Sequence, residues 1–199
     1  GKISKEEYNQ LLKTFEESDK YEMNNQKINI KYLTNHYYIP VILSNDEKVN
    51  YINHIINIQS EVNFIERLEE YIKSQNNIFK DFDWWMFSKI DQTIDDIYIP
   101  YYNPNENKIN DYHPDFIFWL QKGSKYIILF VDPKGVVFAG YEHKIDSYKK
   151  IFENKIYKYN NYEISIKLLF YTNDISRIAD EYRKYWFDNF NELKDKINI

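Results

Sequence analysis

Apolar and polar positions change period several times along the 199 residues. Over residues 4–22 the stripe Tyr8, Leu11, Leu12 and Phe15, with Ser4 as N-cap and Glu6 and Glu7 in the first turn, predicts a helix. Residues 26–43 are rich in β-branched and aromatic side chains and predict one or two strands, with Pro40 disfavouring the interior of a sheet. Residues 47–74 turn helical, in two pieces that separate near Gln59 and Ser60. Residues 84–90 fit a strand or the core-facing end of a helix. Strands are expected at 97–102, 113–120 and 126–132, joined as an antiparallel meander. A helix from about Tyr141 presents Ile145, Tyr148 and Ile151 or Phe152 on one face, and residues 162–173 read as a strand. Residues 175–197 read as a closing helix that packs through Ile178, Tyr182, Tyr185 and Trp186.

The stretch from Tyr112 to Gly135 carries the chemistry. Its two apolar runs flank a turn at Lys122, Gly123 and Ser124, the signature of a β-hairpin. Asp115 opens the first strand and Asp132 closes the second, so antiparallel pairing brings the two carboxylates together at one edge of the sheet. Two acids that close repel, and one is driven toward protonation unless a cation bridges them. A hard divalent cation with oxygen ligands resolves this. Strand alternation points Lys134 the same way as Asp132 across Pro133, where an ammonium can hold a water or steady a phosphate oxygen.

A third acid comes from the helix that precedes the sheet. At about 100° per residue, Phe64, Ile65, Leu68, Tyr71 and Ile72 all fall within about 80° of the direction of Glu61. Glu61 therefore lies on the buried face and requires a partner, whereas Glu66 and Glu70 face solvent. Asp91, Asp95 and Asp96 are read as turn and capping residues. His36 is read as structural, His143 follows the Asp132–Lys134 pair closely in sequence, and Lys144, Lys149 and Lys150 give their helix a basic side.

Composition narrows the class. With 43% hydrophobic and 29% charged residues the chain is long enough for one well-cored domain. No apolar run approaches the roughly 20 residues that span a bilayer, and zero cysteines exclude disulfides and thiolate metal sites, so a cytoplasmic protein with no membrane partner is expected. The 19% aromatic content, together with abundant Lys, Asn and Ile, follows A/T-rich codons rather than a set of base-stacking platforms. A net charge of -5 argues against a free-standing, high-affinity nucleic-acid binder.

Pro114-Asp115 followed by Asp132-Pro133-Lys134, on two adjacent apolar strands, resembles the PD-(D/E)xK nuclease superfamily. The connected run MFSKIDQTIDDIYIPYY, then YHPDFIFWL, then FVDPKG, is similar to the C-terminal endonuclease domain of type III restriction enzymes and related helicase-nucleases. The similar stretch covers roughly residues 30–155. The resemblance implies an α+β, restriction-endonuclease-like fold whose core runs helix, three strands, helix, strand, with a central mixed sheet and an antiparallel meander flanked by helices. It implies a nuclease core over residues 59–199, preceded by a segment, 1–58, that links to an upstream module. It also implies Mg²⁺-dependent cleavage of DNA, with Mn²⁺ able to substitute, in a restriction-type phage-defence system. Asp115, Asp132, the carbonyl of Pro133 and Glu61 would hold the metal, and Lys134 would complete the catalytic set. A helicase or translocase module, in cis or in trans, and a methyltransferase or specificity subunit are the implied partners. The chain itself has only four glycines and no GxxxxGK[ST] phosphate loop. Two other readings fit the same residues: a nuclease-like fold without chemistry that serves as a docking or DNA-binding module, and a nuclease of the same fold directed at RNA.

Overall fold

The structure is a computed structural model that describes residues 20–23, 26–38, 40–45, 55–134 and 140–198. Strands β1 (Lys20–Met23), β2 (Gln26–Lys31) and β3 (Val41–Ser44) form a three-stranded antiparallel sheet. Helix α1 (Gln59–Lys73) follows, then β4 (Trp84–Lys89), the hairpin of β5 (Ile99–Asn103) and β6 (Lys108–Tyr112), and the central pair β7 (Phe116–Lys122) and β8 (Lys125–Pro133). Helix α2 (Tyr141–Ile151), β9 (Ile156–Tyr159), β10 (Tyr162–Tyr171), the short β11 (Trp186–Phe187) and α3 (Leu193–Ile197) complete it.

The central sheet is mixed. Its order is β11-β10-β8-β7-β4, with β9 also paired to β10. The meander β4-β7-β8 is antiparallel, and β10 returns parallel to β8 after the α2 crossover. The two-residue turn between β7 and β8 places Gly123 at φ 57, a left-handed conformation that a Cβ disfavours, and its amide donates to Asp83 Oδ2 at 2.6 Å.

Strand alternation sorts the side chains onto two cores. On one face Phe87, Phe116, Phe118, Leu129, Val131 and Leu169 pack beneath Val62, Phe64, Ile65 and Leu68 of α1. On the other, Ile117, Phe130, Leu168 and Phe170 pack beneath Tyr141, Ile145 and Tyr148 of α2. Burying each such side chain stabilises the fold by about 1.5–3 kcal/mol, so both helices are held chiefly by their apolar stripes. The β5–β6 hairpin lies against α2 and adds Ile99 and Tyr112 to the second core.

Several expected elements take another form. The meander strand beside β7 is β4, whereas residues 99–103 pair only with 108–112 in a separate two-stranded sheet. The turn residues of 103–107 close a local hairpin, and the polar run that follows is its second strand rather than loop. The closing helix is replaced by a 3-10 turn at Asp180–Tyr185, strand β11 and a helix of only five residues, Leu193–Ile197. Tyr185, Trp186 and Phe187 are consecutive and all buried, with Trp186 in the α2-side core and Phe187 in the α1-side core. Neighbours on opposite faces demand the two-residue period of a strand, which overrides the helical pattern. The first helical piece of 47–74 also fails where it is described, since Ile56 makes a β-bridge to Leu43. The helix expected over 4–22 lies outside the described residues up to residue 19, and its last three residues, 20–22, belong to strand β1 instead, held by pairing with β2; residues 47–54 and 136–139 also lie outside the described residues.

Candidate active site

The register of the central pair fixes the site. Phe116 pairs with Val131, so Asp115 and Asp132 stand opposite each other one step beyond the ladder, at the end of the sheet where β4 also finishes. Two hydrogen bonds tie these strand ends down: the Ile90 amide donates to the Asp115 carbonyl, and the Lys134 amide donates to the Tyr171 carbonyl, both at 2.8 Å. Asp132 is 1% exposed. Its Oδ2 accepts a hydrogen bond from the Tyr112 hydroxyl at 2.5 Å, and its Oδ1 forms an ion pair with Lys134 Nζ. Tyr112 is itself fixed by stacking on Phe170, with ring planes 10° apart.

Asp115 is half-buried and hydrogen-bonds to Asp132. Burial first, then the Asp132 charge and that hydrogen bond, hold the Asp115 carboxyl well above the usual carboxylate range. A cation between the two carboxyls would relieve the same repulsion. Burial and the Asp132 charge likewise push the Tyr112 phenol well up, which keeps it a donor.

Glu61, at 1% exposure, projects from the first turn of α1 and finds its partner in Lys89, the last residue of β4. Burial raises the Glu61 carboxyl, opposed chiefly by Lys89; Asp132 and Lys134 are near enough to act on it as well. The Glu61–Lys89 pair sits on the α1 side of the sheet end and the Asp115–Asp132 pair on the α2 side.

Asp115 and Asp132, with the Pro133 carbonyl on the same strand end, suit a hard divalent cation. Mg²⁺ is commonly held by one or two carboxylates and completes its shell with water. The register that sets Asp115 opposite Asp132, with the Asp115 carboxyl held above its usual range, supports this fit, because a cation there cancels the repulsion that burial has concentrated. Among the described residues no three His, Cys, Asp or Glu side chains are grouped to hold one ion, as Glu61 is turned to Lys89.

The sequence reading brought Asp115, Asp132, Lys134 and Glu61 to this end of the sheet, and all four are found there. It missed Tyr112 and Lys89, and it named Lys144 only as part of a basic helix side. Lys144 Nζ lies 4.4 Å from the centre of the Tyr112 ring, on the side chain that holds Asp132. Its signal was available: Tyr141, Lys144, Ile145 and Tyr148 follow the i, i+3, i+4, i+7 rhythm of a buried stripe, unlike Lys149 and Lys150. His143, the preceding helical residue, is half-buried. His36 is a core residue at 2% exposure, its Nδ1 against the Tyr38 carbonyl and its ring 4.9 Å from that of Phe87. Asp91 and Asp95 are turn residues: Asp91 Oδ1 accepts from the Thr93 amide at 2.9 Å, and Asp95 Oδ2 accepts from the Asp91 amide at 2.8 Å.

Among the described residues no helix is long and apolar enough to cross a membrane. No curated protein and no solved structure matches the chain. The profile of the YagJ family matches residues 52–179, a stretch that holds α1, the β4-β7-β8 meander, α2 and every side chain of the site; with more than half of its length matched, the chain belongs to the YagJ family.

Proposed function

We propose that this protein is a metal-dependent endonuclease that hydrolyses DNA phosphodiester bonds. The observation that carries the reading is the convergence of the acid pair Asp115 and Asp132 with Lys134 at one end of the two central strands. A second observation supports it. Leaving aside the β5–β6 insertion, α1, β4, β7, β8, α2 and β10 run helix, three strands, helix, strand, the order of the PD-(D/E)xK core that the motif resembles.

Asp115, Asp132 and the Pro133 carbonyl are the residues that would hold Mg²⁺. When bound, the ion supplies positive charge at the phosphate and Lewis acidity toward water. Tyr112 fixes the rotamer of Asp132 by occupying Oδ2. Lys134, freed of part of its attraction to Asp132, orients the attacking water and offers its protons to the charge that develops on phosphate oxygen. The water oxygen forms a new bond to phosphorus and the bond to O3′ breaks. One water proton passes to bulk solvent and O3′ takes one from bulk solvent, leaving a 5′-phosphate and a 3′-hydroxyl. Glu61 and Lys89 brace the other side of the sheet end. An acidic chain with so compact a site would work beside a motor module that delivers DNA to it.

The test is cleavage of supercoiled plasmid with Mg²⁺, with EDTA, and by Asp132→Ala and Lys134→Ala whose folding is checked by circular dichroism. Mg²⁺-dependent nicking that falls at least about 100-fold in both folded variants is expected. An intact protein that is inert, alone and with a translocating partner added, and that takes up no Mg²⁺ in a calorimeter, would replace the nuclease with a docking module.

A further inference from the structure

Helix α2 sends one lysine inward. Lys144 is half-buried, with its ammonium 4.4 Å from the centre of the Tyr112 ring, and no carboxylate pairs with it among the described residues. The neighbouring ammoniums are all matched to acids: Lys134 to Asp132 and Lys89 to Glu61. A partly desolvated cation without a counter-ion is costly, and the cation–π contact offsets only part of that cost. Burial and the Lys134 charge press the Lys144 ammonium downward, and only the charges of Asp132 and Asp115 oppose them in the free protein.

The charge balance changes once a divalent cation occupies the acid pair. Two positive charges then cancel Asp115 and Asp132, and Lys144 and Lys134 remain as unneutralised ammoniums beside the same strand ends. Such a pair attracts a phosphodiester, whose non-bridging oxygens are acceptors for lysine. We propose that Lys144 is a phosphate-binding residue that holds a non-bridging oxygen of the cleaved or adjoining phosphodiester, reaching it over the Tyr112 ring from the side opposite the sheet. This rests on the nuclease reading and adds to it a substrate contact outside the Asp115, Asp132, Lys134 motif. Tyr112 thereby couples two functions, positioning Asp132 through its hydroxyl and Lys144 through its ring face.

The experiment uses the full chain with Lys144→Met, which keeps the stem over the ring and removes the charge, and Lys144→Arg, which keeps the charge. Mg²⁺ uptake is followed by calorimetry, binding of a labelled DNA duplex by fluorescence anisotropy in Ca²⁺, and cleavage in Mg²⁺. Loss of one charged contact to phosphate is expected to weaken DNA binding and raise KM in Lys144→Met by about 10- to 100-fold. The arginine variant is expected within a few-fold of wild type, and cation uptake by the methionine variant no weaker than wild type. Wild-type binding and KM in a folded Lys144→Met would overturn the assignment and leave the nuclease reading standing. Equal losses in both variants would overturn it in favour of a packing role. A wild type that neither cleaves DNA nor takes up cation would remove the underlying reading and this assignment together.

Discussion

Asp115 and Asp132 meet because β7 and β8 pair in one register, and burial together with the Asp132 charge holds the Asp115 carboxyl above its usual range. With the Asp115 carboxyl raised above its unfolded value, its contribution to stability is fully present below about pH 3.9, the unfolded value, and is lost as pH rises through the higher folded value. Asp115→Asn keeps the neutral, hydrogen-bonding form at every pH. In EDTA this variant is therefore expected to exceed wild type in urea-unfolding free energy at neutral pH. The difference closes toward pH 4. On the proposed reading, adding Mg²⁺ would narrow it from the other direction, by binding the wild-type acid pair more tightly. A variant less stable than wild type at pH 7 in EDTA would mean that the two carboxylates are ionised together and satisfied by lysine.

The short strand β11 tests how elements are chosen here. Trp186 stacks on Phe170 at 4.9 Å and Phe187 sits 5.1 Å from Tyr171, so two adjacent residues close two cores on opposite faces of the sheet. Trp186→Ala is expected to cost about 3–5 kcal/mol in equilibrium unfolding, far more than a change on a frayed terminal helix would. A cost under about 1 kcal/mol would show that the terminal segment is dispensable for the α2-side core. The same segment shows where local pattern stops being informative. Glu61, Phe64, Ile65 and Leu68 were legible as a buried helical face because α1 packs along its whole length on one core. Asp115 and Asp132 were legible because a hairpin is local and its register follows from its turn. Residues 175–197 were not, since their apolar side chains are divided between two cores by partners distant in sequence. Nor was the position of residues 99–103. Their pairing with 108–112 instead of β7 depends on β4 already holding that edge. Tyr112 and Lys144 reach the acid pair from the inserted hairpin and the crossover helix, contacts that no spacing within one segment encodes.

For the whole molecule, the acid pair lies where three separately folded pieces meet: the sheet end, the β5–β6 hairpin through Tyr112, and α2 through Lys144. The net charge of -5 surrounds that point with a field that opposes a polyanion at long range, so attraction to DNA must be short-ranged and confined to the site. On the proposed reading the ammoniums available to phosphate once a cation is bound are Lys134 and Lys144. Two phosphate contacts correspond to a slope of about -2 when log affinity for duplex DNA is plotted against log salt, whereas an extended basic footprint of 6–10 contacts gives a far steeper one. Anisotropy titrations in Ca²⁺ over a range of KCl concentrations are expected to give a slope of about -2 for wild type and about -1 for Lys144→Met. A wild-type slope of about -5 or steeper would place the main DNA contact on another surface of the molecule. A shallow slope makes turnover on free DNA inefficient at physiological salt and places the burden of holding substrate on a partner. Joining the chain to a basic DNA-binding or translocating module should then raise kcat/KM for plasmid without altering the dependence on Asp132 and Lys134.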